Sequence, residues 1–579
     1  MAPADWVIVV AYCACALGIG AYFTKRASRS PEDFFIAGRK LPWWVIGFSN
    51  VATYSGSSAA FVMLVFVYGF AGNWFWWASW VVWMPLVAVL WAKLWRRMEV
   101  VTTAEMLELR YAGRAAATFR AVLAVYSSFG WAVVLMGYVT GWLARELQPI
   151  LGWSDISFLL FFGAIALAYT LLAGLFGVAY SDVVQFIVLF IANVALVPIL
   201  FKAAGGLGAA YTGIEQTRGS EFFASVPPTG DLTLLTVLAL GIQGLFFAGS
   251  PSAGEGATAQ RFLAARNEFH AIVGQLFSTL MSLVVRIVPL ILMGVVAAKL
   301  YVPADFSEPA DVWAKMVLQF APTGLLGLLV AGEIAGYMST IDSSMNWGAS
   351  YLLNDLYRRF VKRDASNQHY VIVSRIASAM MMGTALFVAY FLVKGMTAWF
   401  LFINSVMVAF ALPLCWLRFF WWRLNIYGEA AGTLGGLPLG YLIWFTLGFK
   451  DKPLWQGFFL LFVAGWATIL IVTILTRPER TDTLRQFYKK CRPPGWWRPV
   501  TEGFPEAERV QIKEETRGDV LDCGIAVVAC ASLVASVNSL LAGKLEICIL
   551  SGIVAVVTTY RLIRRWRSRG VFERLTMDR

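Results

Sequence analysis

Histidine is almost missing from this chain, with only His270 and His369 in 579 residues, both near the ends of apolar runs. That scarcity argues against a histidine-based proton relay. None of the seven cysteines stands at metal-ligand spacing from a histidine: Cys13, Cys15, Cys415, Cys523, Cys530 and Cys548 lie within apolar runs, and Cys491 lies in a polar loop. Neither a disulfide nor a metal centre is therefore expected. A glycine-rich phosphate loop, a nucleophile paired with a base and an appended regulatory domain are also missing, so an ATP-driven pump, a membrane enzyme or a sensor has little to rest on. Charge is sparse as well, at 14% of residues. The first residues, Met1 to Trp6, carry Asp5 rather than a basic cluster, so the first apolar run reads as a retained span and not as a secretory signal.

What is there is hydrophobic: 59% of residues are apolar, and the mean hydropathy is +0.67. The apolar residues fall in blocks near the length that crosses a bilayer, and about fifteen such blocks can be counted. They lie near 4–24, 43–70, 73–95, 117–146, 156–177, 179–203, 232–250, 270–299, 322–353, 369–393, 396–421, 429–448, 453–476, 521–541 and 545–563. Positive charge follows alternate blocks: Lys25, Arg26 and Arg29, then Arg96, Arg97 and Arg110, then Arg358, Arg359 and Lys362. The positive-inside rule makes those loops cytoplasmic, which puts the amino terminus outside and the carboxyl tail, with Arg561, Arg564, Arg565, Arg567 and Arg569, inside. The net charge of +12 is thus assigned to lipid headgroups and not to nucleic acid. Between the thirteenth block and the last two, Thr483 to Lys490 reads as a short amphipathic helix.

One block is anomalous. Within 322–353 the chain places Ser339, Thr340, Asp342, Ser343 and Ser344 in an otherwise apolar run. Unpaired polar groups in hydrocarbon cost several kcal/mol, so this cluster must face protein, water or a bound ion. Two other blocks look interrupted, at Ala52–Ser58 and at Gly249–Gly256, where Gly, Ser and Pro weaken the helix. Each interruption opens a set of five blocks, 43–203 and 232–421, and the two sets begin on opposite sides of the membrane. Inverted repeats led by broken helices describe a secondary transporter with its site between the repeats. The expected organisation is a first helix and loop (1–42), a first repeat (43–203), an external loop (204–231) and a second repeat (232–424). Two added helices (425–476), a cytoplasmic segment (477–520) and two terminal helices with a basic tail (521–579) follow.

Four stretches resemble the sodium:solute symporter family, which includes sodium–glucose and sodium–proline cotransporters. They are Gly38-Arg39-Lys40-Leu41-Pro42-Trp43-Trp44; Tyr169 to Leu175 with Tyr180-Ser181-Asp182-Val183-Val184-Gln185; Gln260 to Arg266; and Met338-Ser339-Thr340-Ile341-Asp342-Ser343. The resemblance implies an all-α polytopic fold of the LeuT type, a five-plus-five inverted repeat with flanking helices, and sodium as coupling ion with no other cofactor. It also implies a sodium site made by the carbonyls of Ala52, Ser55 and Gly336 and the hydroxyls of Ser339 and Thr340. That chemistry is sound in itself, since sodium is a hard cation that takes oxygen ligands, and positions 336, 339 and 340 share one helix face. Asp182 matches a family position on the ion's exit path; a solvated carboxylate at a helix start is the other reading.

Substrate candidates are Ala59, Glu255, Arg286, Glu333 and Asn404. Arg286 is a natural partner for Glu333 or Glu255, and structural pairing is the leading expectation for it. Sugar-carrying members of the family have polar residues where this chain has Ala59, the Trp-rich stretch 74–83 and Glu255, so much of the sugar pocket is missing. Trp74, Trp76, Trp77, Trp80 and Trp83 serve either as an aromatic floor or as interfacial anchors. The expected function is sodium-coupled symport of a small neutral, zwitterionic or amine-bearing solute across the plasma membrane. A sugar symporter, proton coupling through Glu255 or Glu333, and a solute sensor are the alternatives.

Overall fold

The computed structural model describes every residue except 28, 225–232, 248–255, 394–395 and 577–579. The described residues form helices joined by turns and loops, with isolated bridges such as Leu41 with Ala265 and no strand among them. Among the described residues ten helices are long and apolar enough to cross a membrane, and Ile156–Leu172 and Leu234–Phe247 are shorter apolar helices. The apolar blocks do not map onto these helices one to one, because hydropathy cannot see where a helix breaks or runs on.

The helices that position the site are α1 (Pro3–Ala27), α2 (Trp43–Thr53), α3 (Ser58–Tyr68), α4 (Trp74–Leu86), α5 (Val133–Leu151) and α6 (Asp155–Ala203, with a break at Gly174). After these come α7 (Leu234–Phe247), α8 (Gly256–Leu263), α9 (Glu268–Leu280), α10 (Ile287–Leu300) and α11 (Leu325–Tyr351). At the centre stands α11, packed along α6 and α1 and buried at every residue from Leu329 to Tyr351. This resolves the anomaly in the sequence: the Ser339–Ser344 cluster is buried inside the bundle, against protein and, at Thr340 and Ser344, against an internal cavity.

Close helix packing rests on small residues. A Cβ built on Gly294 of α10 would lie 2.6 Å from Val65 Cβ and 2.9 Å from the Val62 carbonyl of α3. Gly294→Ala is therefore expected to push α3 and α10 apart and to cost about 1–3 kcal/mol, readable as a lower unfolding midpoint in detergent.

The carboxyl end forms a hairpin of α12 (Glu506–Leu541) and α13 (Leu545–Ser568), both long enough to span. It is clamped to the body by ion pairs, Lys93 with Asp519 and Arg97 with Glu515. Arg565 and Arg569 of the basic tail do not simply face lipid: both donate to the buried Asp522, at 2.7 and 2.6 Å. Cys491 is likewise not on a loop. It ends the helix Thr481–Cys491 and is fully buried, and burial pushes its thiol up to about 12.

Candidate ion and solute site

The break between α2 and α3 is built from four residues. α2 ends at Thr53, Gly56 takes a left-handed φ of +44°, and Ser57 is extended (φ −151°, ψ 132°), capping α3 with its own side chain. A residue with a Cβ is strained at such a φ, so the glycine lets the chain leave one half-helix and enter the next. Carbonyls released by this turn face α11. Thr340 Oγ1 donates to the Thr53 carbonyl at 3.1 Å and to the Gly336 carbonyl at 3.2 Å. A Cβ on Gly336 would sit 3.9 Å from the Gly56 carbonyl.

The break and α11 thus meet in a cluster of neutral oxygens, at a spacing that a hard cation with oxygen bonds of about 2.4 Å can bridge. Its details differ from the set carried over by resemblance. Thr340 reaches Thr53, whereas the Ala52 carbonyl accepts from the Ser55 amide at 3.0 Å. Ser339 turns toward α6, where its hydroxyl donates to Asp182 Oδ1 at 2.5 Å.

Asp182 is neither solvated nor at a helix start, which removes one of the two sequence readings. It lies well inside α6, fully buried, and pairs with an equally buried Arg261 of α8 at 3.2 Å. Arg261 also donates to Ser49 Oγ at 2.6 Å, Thr53 Oγ1 at 2.8 Å and Ser343 Oγ at 2.5 Å. One guanidinium therefore ties α2, α6, α8 and α11 together directly beside the oxygen cluster. A buried carboxylate needs a counter-ion, but Arg261 stands 79 residues from Asp182 and no spacing rule could have joined them.

A cavity of about 170 Å³ adjoins the cluster and shares Thr53 and Thr340 with it. Its walls are aromatic, including Tyr54, Trp76, Trp80 and Trp83 on one side and Trp142 and Trp347 on the other. Trp76 and Trp83 are buried, so the aromatic-floor reading of the α4 tryptophans holds for these two in preference to the interfacial one. Polar atoms are few, and no charged side chain is among the described lining residues. The indole nitrogens of Trp76, Trp83 and Trp347 and the Ser79 hydroxyl are buried without a partner among the described residues.

The proposed substrate residues lie mostly outside this cavity. Arg286 stands behind its wall, donating to the Tyr54 carbonyl at 2.9 Å and stacking over Phe61 at 4.7 Å. No ion pair within 4 Å joins it to Glu333, although the two charges interact; Glu333 accepts from the Ser58 amide at 3.2 Å, and the other expected partner, Glu255, lies outside the described residues. The Ala59 amide donates to Glu146 at 3.0 Å. Asn404 lies in the wide helical turn Phe402–Val406, next to the lining residue Ile403. Glu255, and with it the second expected break at 249–256, lies outside the described residues. Glu146 escaped notice because it fell at the end of an apolar block, where a carboxylate reads as solvated; α5 runs on to Leu151 and buries it.

A helical bundle with a broken helix at its core, an oxygen cluster at the break and a cavity alongside has the form of a secondary transporter. The fold matches that of a sodium-coupled sialic acid symporter solved in a substrate-bound outward-open state, with a TM-score of 0.65 and 19% identity, covering 83% of this chain and 99% of that one. The sodium:solute symporter family model matches residues 34–436, and the chain belongs to that family. Similar relatives include the sodium/mannose cotransporter SLC5A10 of Bos taurus, 26% identical over 491 residues, which cover 75% of this chain and 78% of that protein. Another is the sodium/sialic acid symporter NanT of Aliivibrio fischeri, 25% identical over 386 residues, with 63% and 72% covered. The protein is accordingly a sodium-coupled membrane transporter and not an enzyme.

Proposed function

We propose that the protein imports a small neutral polar solute together with sodium by alternating access, the amino terminus lying outside and the carboxyl tail inside. The observation that carries this reading is the shared boundary: Thr53 and Thr340 belong both to the oxygen cluster and to the aromatic cavity. An ion that draws α2 onto α11 therefore shapes the solute cavity as well. Coupling requires the ion to bind one arrangement better than the other, and a site assembled from two separate helices meets that condition.

A cavity whose described lining carries no charge favours a solute with no net charge. Its unpartnered indole and hydroxyl donors favour one that carries hydrogen-bond acceptors. A cyclic polyol is the second reading: tryptophan faces suit its C–H surfaces, and the relatives include sodium/myo-inositol and sodium/mannose cotransporters.

The test is uptake of a solute panel into proteoliposomes. A sodium gradient should drive accumulation of a neutral solute, and a proton gradient without sodium should not. Sodium-independent binding with no uptake would overturn the proposal in favour of a sensor. With the solute known, Trp80→Ala should raise its KM by about threefold to tenfold, the loss of one aromatic wall.

A further inference from the structure

We propose that Glu146 and Glu333 together form a proton-binding site at the start of α3, and that the proton is needed for α3 to dock against α5 and α11. The two acids come from different helices and converge on one short segment. Glu333 Oε2 accepts from the Ser58 amide at 3.2 Å. Glu146 Oε1 accepts from the next amide, that of Ala59, at 3.0 Å, and its Oε2 accepts from the Ser57 hydroxyl at 2.7 Å. Successive amides at a helix start point the same way, so carboxyl groups bound to both lie against each other. Both side chains are buried, at 5% and 2% exposure, and Glu333 Oε1 has no hydrogen-bond partner among the described residues.

Among the described residues the local charge does not balance without a proton. A helix start supplies roughly half a positive charge. The other positive group nearby among the described residues is Arg286, whose Nη1 is used by the Tyr54 carbonyl and whose Nε and Nη2 have no hydrogen-bond partner there. The remaining described neighbours are neutral or already matched. Asn193 of α6 donates to Ser58 Oγ at 3.1 Å, Tyr138 of α5 and Tyr337 of α11 are uncharged, and Arg145 of α5 is paired with Asp311 at 2.6 Å. One buried carboxylate can be held by the helix start and Arg286; two in contact cannot both be ionised away from water. A single proton shared between them turns the repulsion into a hydrogen bond and supplies a partner for the orphaned Glu333 oxygen.

The device is tied to movement because the acids sit on α5 and α11 while the amides belong to α3. Loss of the proton would set two like charges against each other at that junction and favour separation. The sign follows directly: the docked arrangement is present when the pair holds its proton and is lost as pH rises through its titration. Transport should then depend on protons in addition to sodium, whatever the solute.

Infrared spectra of the purified protein in lipid nanodiscs test the site without recourse to transport. The wild type should show the carbonyl stretch of a protonated carboxyl at neutral pH, fading as pH rises, and Glu146→Gln and Glu333→Gln should each remove that same band. A band that survives both substitutions, or a wild-type spectrum in which nothing fades, overturns the proposal and leaves the sodium reading standing. In proteoliposomes, sodium-driven uptake by the wild type should fall about tenfold per pH unit above the titration point. Glu333→Gln, which keeps an acceptor for the Ser58 amide, should flatten that fall. Parallel pH profiles for the two proteins would count against the site.

Discussion

Arg261→Ala is expected to abolish sodium-driven uptake and to lower the unfolding free energy by about 3–5 kcal/mol, the usual cost of stranding one member of a buried ion pair. The size follows from the surroundings. Both Arg261 and Asp182 have fully buried side chains, so water cannot take over when the guanidinium goes. The Ser49 and Ser339 hydroxyls still donate to Asp182, which softens the loss without supplying a charge. Ser343 and Thr53 lose a donor at the same time, so α2 and α11 lose a link beside the ion cluster. Arg261→Lys keeps the charge but cannot reproduce the planar fork that reaches three helices, and should fall between wild type and Ala. The double variant Arg261→Ala, Asp182→Asn removes both charges and should regain part of the stability but not the uptake. Chemical unfolding in detergent together with sodium-dependent uptake reads both effects. Equal destabilisation in the single and double variants would show that the pair is not the source of the cost.

Thr340→Ala should raise the sodium concentration for half-maximal uptake by about tenfold or more, the equivalent of about 1.4 kcal/mol for one lost ligand. The hydroxyl is the atom that bridges α2 and α11, at 3.1 Å from the Thr53 carbonyl and 3.2 Å from that of Gly336. Its removal leaves two carbonyls facing each other with neither a donor nor an ion ligand between them. Thr340→Ser retains the oxygen and should stay close to wild type, which separates ion binding from simple packing. Ser339→Ala should also raise the sodium requirement, but through a different route, since its hydroxyl is held by Asp182. Sodium dependence unchanged in Thr340→Ala would remove the proposed ion site.

Much of this molecule was legible before any coordinate. The run of apolar blocks, the break at 52–58 and the polar cluster in 322–353 follow from energetic penalties that act locally: hydrocarbon excludes unpaired polar groups, and Gly and Ser loosen a helix. Motif resemblance then joined the break to the cluster, and helical spacing set Gly336, Ser339 and Thr340 on one face, but neither showed that Ser339 turns to Asp182 while Thr340 reaches the Thr53 carbonyl. The wall of the solute cavity was half legible, because tryptophans in a span read equally as lining or as interfacial anchors until their burial is known.

What the sequence by itself determined, then, is that this is a polytopic membrane protein with polar chemistry concentrated at one helix break and one buried helix. Only the tertiary structure decided which groups share that chemistry. Arg261 reaches Asp182 across 79 residues, and Glu333 meets Ser58 across 275, while Arg286 donates to the Tyr54 carbonyl. The physical reason is that a buried charge must be matched wherever a complementary group lies in space. Hydropathy and helical spacing act along the chain over a few turns, whereas counter-charges, orphaned amides and cavity walls are supplied by other helices. Their positions are fixed only when the bundle closes.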